Sequence, residues 1–208
     1  MNKSLTVNDI IKIIWKNIIW VILFGVIGAG AMGGFAKVRQ HTTYSASRSI
    51  MIAHDTSSAL VKSKDSQVKA DLNMVQTYAD LAKDPIVLNK VAKELKGDLS
   101  KKVTADELSS MVTVETKPDS LVVSIKASSS NAKDAVKIAN KTATVFAKKL
   151  PQLATDPGDV TTLAKANKES LTSTTSPSAK KYAVLGLAAG LVIGIAVAFS
   201  ITSWKKIL

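Results

Sequence analysis

An α+β domain held between two membrane-crossing helices is the fold class that three features of this 208-residue sequence predict. The first is the segregation of charge. One residue in five is charged (21%), yet residues 18–36 and 182–201 carry no charged side chain at all. These stretches of 19 and 20 residues match the about 20 helical residues that cross the apolar layer of a bilayer. The second is the middle of the chain, where strand-like alternation and helical periodicity follow one another in the order β-α-α-α-β-β-α-β, implying a small mixed sheet. The third is a line of glycines, Gly186, Gly190 and Gly194, spaced four apart inside the second apolar stretch.

Residues 5–17 place Ile10, Ile11 and Ile14 at helical spacing with Ile18 and read as an amphipathic helix on the inner membrane surface, or as an extension of the first span. The first span has a competing reading. Lys3, Lys12 and Lys16 precede it and "AGA" at 29–31 resembles a signal-peptidase site, but its apolar core exceeds the about 7–15 residues of a signal peptide. After it, "YSASRSIMIA" (44–53) sets Tyr44, Ala46, Ile50 and Ile52 against serines, a strand pattern. Val68, Leu72, Val75, Ala79 and Ala82 mark a helix over 66–83. A compact helix follows, with Asp84 as cap, Pro85 in its first turn, Val87, Leu88, Val91 and Leu95 as its stripe, and Gly97 as its stop.

Thr104 and Glu107 spell a capping box. "MVTVET", the turn "KPDS" and "LVVSIKA" form a hairpin that turns Leu121, Val123, Ile125 and Ala127 to one face. Asn131 caps a helix with Ala132, Ala135, Val136, Ala139, Ala143 and Phe146 on its stripe and Pro151 at its close. Residues 159–166 are the last strand, and the Ser/Thr-rich stretch 167–181 is a tether into the second span. A chain that leaves and re-enters one membrane predicts first and last strands that run antiparallel and side by side.

The formal charge of +12 invites a nucleic-acid reading, but its distribution opposes one. Between 37 and 181 the 23 Lys/Arg exceed the 15 Asp/Glu along the whole stretch, without an arginine cluster and without aromatic residues interleaved to stack bases. A lysine-rich surface near anionic lipid or anionic polymer fits better. Charge near the spans is balanced, five cations on each side, so it does not orient them. The chain has no cysteine, no phosphate loop, no HExxH and no GxSxG. His41 and His54 read as loop histidines, and Asp71, Asp80 and Asp84 as solvated helix faces. No catalytic, cofactor-binding or metal-ligating residue is assigned.

The spans carry more information. Helices in lipid associate by close backbone approach, which small residues permit. Gly186, Gly190 and Gly194 give the second helix a flat groove, and Gly30 and Gly34 lie four apart on the first with Ala29 and Gly33 beside them, so these five glycines spaced four apart are the candidate packing residues.

"LTVNDIIKIIWKNIIWVI", "YSASRSIMIA", "YADLAKDPIVLNKVAKEL", the hairpin-helix run ending "AVKIANKTATVFAKKL", and "SPSAKKYAVLGLAAGLVIG" cover nearly the whole chain. Together they resemble the bacterial chain-length determinant (Wzz-type) family of polysaccharide co-polymerases, in particular its Gram-positive capsular and exopolysaccharide adaptor branch. The resemblance implies a non-enzymatic homo-oligomer in the cell membrane that controls polysaccharide length with a separate polymerase and contacts the nascent polymer and membrane lipids. It implies a cytoplasmic tyrosine kinase as a separate partner. It also orients the chain. Residues 1–17 and 202–208 are then cytoplasmic, 18–36 and 182–201 are spans, 37–166 is the outer domain and 167–181 the tether. Two departures are present: Pro177 stands alone before the second span, and the tail "SWKKIL" reaches at most about 20 Å, short for docking a kinase. The competing expectation is a membrane-anchored module that captures or senses an extracellular ligand.

Overall fold

The computed structural model describes residues 15–55 and 61–204. It divides into two units, one of the chain's two ends and one of Thr42–Thr174.

The first unit contains α1 (Ile18–Val38) and α6 (Ala179–Trp204), both long and apolar enough to cross a membrane. Each is longer than its uncharged run, and the extra turns take in Lys37 on α1 and Lys180 and Lys181 on α6. Trp15 and Lys16 are helical, and Asn17 turns the chain before α1 begins. Most of the stretch read as an amphipathic helix, residues 5–17, lies outside the described residues.

The second unit is built on a sheet of five strands: β1 (His41–Ala53), β2 (Val112–Thr116), β3 (Val122–Ser129), β4 (Asp159–Thr162) and β5 (Thr172–Ser176). Four of them lie in the order β2-β3-β1-β4, and β5 also pairs with β1. The ladders β1–β3, β1–β4 and β2–β3 are antiparallel, where the sequence suggested a mixed sheet. The reason is topological. Helices α2 (Val61–Leu81), α3 (Pro85–Glu94) and α4 (Ala105–Met111) carry the chain from β1 to β2, and α5 (Ala132–Leu153) carries it from β3 to β4. Each crossover joins two strands of like direction but leaves one strand between them. Parallel strands are thus never neighbours in these ladders, the split βαβ arrangement of ferredoxin-like folds.

Alternation decides which face is covered. Ala46, Ile50 and Ile52 of β1, Val123, Ile125 and Ala127 of β3, and Val112 of β2 are all buried, and the registers Ile50↔Val123, Ala46↔Ala127 and Val112↔Ala127 put them on one side. There they meet Val87, Leu88 and Val91 of α3 and Ile138, Ala139 and Phe146 of α5 in one core. The other face carries Ser45, Ser47, Ser49, Ser124, Lys126 and Ser128. The Ser45 and Ser128 hydroxyls lie 2.9 Å apart across the ladder.

The helix boundaries follow their local chemistry. The Asp84 carboxylate accepts from the Ile86 amide at 2.7 Å, and Pro85 occupies the first helical position. Thr104 and Glu107 form both bonds of the capping box. Asn131 accepts from the amides of Lys133 and Asp134.

Three expectations change. Pro151 does not close α5 but sits in its last turn, and the helix stops two residues later, within the turn that proline's missing N–H disrupts. The last strand covers 159–162, not 159–166, because side chains take the next backbone groups: Arg48 Nε donates to the Leu163 carbonyl, and Asn140 bonds both the carbonyl and the amide of Ala166. The stretch read as a tether contains β5. The strand read as last, β4, does lie antiparallel beside β1, from Ile50↔Thr162 through Ala53↔Asp159, while the strand that ends the sheet, β5, also pairs with β1.

Candidate functional site

Side chains on α1 and α6 are sorted by size. Ile19, Trp20, Ile22, Leu23, Val26 and Ile27 of α1 are exposed, as are Val184, Leu185, Leu187, Val192 and Ile193 of α6. A soluble protein rarely leaves so continuous an apolar surface open to water, whereas hydrocarbon accepts it. The faces the two helices turn to each other are small. A Cβ added at Gly186 would come within 3 Å of the Gly28 carbonyl, at Gly190 within 3 Å of the Phe24 carbonyl and Gly25 Cα, and at Gly194 within 3 Å of Val21 Cα. Gly33 faces Ala183. Partner numbers fall on one helix as they rise on the other, so the helices are antiparallel, and Asn17 Nδ2 donates to Thr202 Oγ1 at 3.0 Å where α1 begins.

Of the five glycines singled out in the sequence, this brings Gly186, Gly190 and Gly194 into the contact. Gly30 and Gly34 meet no atom within 4 Å when a Cβ is added. The small residues that α1 presents are Gly25, Gly28 and Gly33 instead. Gly30 is two residues beyond Gly28, and two residues turn a helix by about 200°, so the two glycines point to opposite sides.

In the second unit, polar groups meet in two buried places. At the end of β1, the Asp71 carboxylate of α2 accepts from the His54 amide at 2.9 Å and from Gln67 Nε2 at 3.0 Å, and lies 2.7 Å from His54 Nδ1. Asp71 is buried, not part of a solvated face, and His54 is its partner rather than a plain loop histidine. His54 Nε2 lies 3.4 Å from Asp156 without hydrogen-bond geometry. The bond to Asp71 raises the His54 pKa; burial opposes this and the Asp156 charge adds to it. Burial pushes the Asp71 carboxyl up, but the bonds from His54 and Gln67 outweigh it and leave the pKa below its ordinary value. The pair anchors the end of β1 to α2.

The second place is centred on Arg48. It shares the inward parity of Ala46, Ile50 and Ile52, a position the strand pattern passed over. Its guanidinium reaches the Leu163 carbonyl at 3.2 Å, the Asn140 carbonyl at 3.4 Å and the Thr144 hydroxyl at 3.1 Å. It lines a cleft of about 400 Å³ bordered by α5. Nearby, Glu94 lies 3.5 Å from Lys90 and 3.4 Å from Lys141. Burial raises the Glu94 carboxyl, but the two lysines outweigh it and hold the pKa below its ordinary value. Among the described residues no group of three or more His, Cys, Asp or Glu side chains could hold a metal ion.

The family model described as "Wzz: Chain length determinant protein" matches residues 3–95. The chain is 29% identical to the probable capsular polysaccharide biosynthesis protein YwqC of Bacillus subtilis (strain 168), over 96% of this chain and 78% of that protein. It is 26% identical to the capsular polysaccharide biosynthesis protein CapA of Staphylococcus aureus (strain COL), over 96% of this chain and 86% of CapA. A shorter match of 32% identity, to the capsular polysaccharide type 8 biosynthesis protein cap8A of Staphylococcus aureus, covers 42% of this chain and 37% of that one.

Proposed function

We infer, from the match of residues 3–95 to the Wzz chain length determinant model and the likeness to capsular polysaccharide biosynthesis proteins, that the chain is a non-catalytic membrane regulator of capsule or exopolysaccharide assembly. In this reading it sets how long the polymer grows, acting as a homo-oligomer beside a separate polymerase, and it modulates a cytoplasmic tyrosine kinase through its inner ends. Both termini are cytoplasmic and the α+β unit is outside. One observation carries the reading: two glycine-matched apolar helices flank an α+β unit in a chain that aligns with capsular proteins over 96% of its length.

Deleting the gene tests this. The size distribution of the surface polysaccharide shifts while sugar transfer in isolated membranes persists. Unchanged polymer length and yield, or loss of transfer itself, overturns the reading. Native mass spectrometry in detergent checks the assembly, with a multi-subunit ring expected and a monomer contradicting it.

A further inference from the structure

We propose that the cleft at Arg48 is a binding site for an oxyanion, a carboxylate or phosphate group carried by a small polar ligand. The inference goes beyond the role in capsule assembly and does not depend on it. Arg48 is 7% exposed, and every protein partner it has is neutral: two carbonyls and one hydroxyl. Those bonds use Nε and Nη1. Among the described residues no acceptor is bonded to Nη2, and no carboxylate lies within 4.0 Å of the guanidinium. A buried cation without a counter-charge is costly unless something supplies one.

The cleft gathers more positive charge around it. Lys137 and Lys141, one turn apart on α5, and Lys165 after β4 line the same space. Lys165 has no partner among the described residues, and Lys137 donates to the Asp98 backbone carbonyl, which leaves its charge uncancelled. Lys141 is shared with Glu94. Asp98 is the carboxylate in the lining that opposes an anion. The Asn140 side chain is held by Ala166, so the wall between α5 and the β4 exit is fixed. Arginine's planar fork pairs with two oxygens of a carboxylate or phosphate, and flanking lysines add non-directional attraction.

The test is calorimetric titration of the full chain in nanodiscs of neutral lipid with sodium pyrophosphate, sodium galacturonate and, as uncharged control, glucose. At least one anion binds, the affinity falls as salt rises, and glucose does not bind. Pyrophosphate alone assigns a phosphate ligand, and galacturonate alone a carboxylate. Lys137→Ala and Lys165→Ala each weaken binding about fivefold, Asp98→Asn tightens it, and none of the three moves the ligand-free melting temperature. Arg48→Lys keeps the charge but loses the fork, and weakens binding by about tenfold or more. Failure of both anions to bind, equal binding of glucose, unchanged affinity in the two lysine variants, or unchanged affinity in Arg48→Lys overturns the proposal; a purely structural Arg48 gives the last result.

Discussion

His54 and Asp71 stand seventeen positions apart, and each alone reads as ordinary: a histidine just past a strand and an acid on a helix. Their meeting makes stability depend on pH in two directions. The fold favours protonated His54, so that contribution is complete below the ordinary histidine pKa of about 6.5 and disappears as pH rises through the higher folded value. Asp71 is favoured ionised, so its contribution is present above the ordinary aspartate pKa of about 3.9 and disappears as pH falls through the lower folded value. Chemical unfolding of the full chain across this range shows greatest stability for the pair between the two limits. Asp71→Asn costs about 1–3 kcal/mol by leaving the His54 amide and ring poorly matched, and flattens the alkaline limb. Gly158 makes a second prediction. Its φ is +74°, and an added Cβ would come within 2.8 Å of the Ala53 carbonyl carbon and oxygen. Gly158→Ala therefore destabilises by about 1–3 kcal/mol, read as a lowered unfolding midpoint. Gly97, at φ +90° but facing open space, carries backbone strain alone on substitution and costs less.

Helices were the most legible elements, since their signals are local. The caps at Asp84, Thr104 and Asn131 are residues whose side chains bond amides two or three positions on, and each holds as its spelling implies. Strands were legible where one face is buried, as at Val123, Ile125 and Ala127. Thr172–Ser176 was not: all five side chains are exposed, so no alternation exists, and only pairing with β1 makes the segment a strand. Arg48 escaped for the opposite reason, a charged residue at a core position whose acceptors come from residues 140–163, far along the chain. The glycine lines were visible in sequence, but which of them face the partner helix is a matter of rotation. This yields a graded prediction for the α1–α6 contact. Gly186→Leu or Gly190→Leu forces the backbones apart, costing about 1–3 kcal/mol, and lowers the thermal midpoint of the full chain in detergent. Gly30→Leu and Gly34→Leu leave that midpoint unchanged. Because the chain has no native cysteine, Gly33→Cys with Ala183→Cys gives a clean check: the pair oxidises to an intramolecular disulfide. Failure of this pair to crosslink alongside efficient crosslinking of a Gly30→Cys, Ala183→Cys pair would refute the observed rotation.

The orientation of the molecule in its membrane is open to the same cysteine-free background. With the central unit outside, Lys117→Cys in the turn between β2 and β3 reacts with a membrane-impermeant maleimide on intact cells, and Lys206→Cys reacts after lysis only. The reverse pattern inverts the topology and removes the basis for an outer domain acting on a growing polymer. The general plan, two apolar helices around an α+β middle, was readable because hydrophobic length and periodicity are properties of contiguous residues. Of the strand order, the β2–β3 hairpin and the β1–β4 neighbourhood were readable, but the insertion of β3 beside β1 was not, because it depends on which distant segment takes that flank. That central strand has a consequence for biogenesis. It is among the first parts of the unit to be synthesised, yet β3 reaches it some seventy residues later and β4 more than a hundred later. A nascent chain interrupted after α5 therefore displays a stretch of β1 with vacant amides and carbonyls along one side. Such a fragment is a template for intermolecular strand addition, so truncated products aggregate or fall to proteases, while complete translation seals that side before α6 emerges.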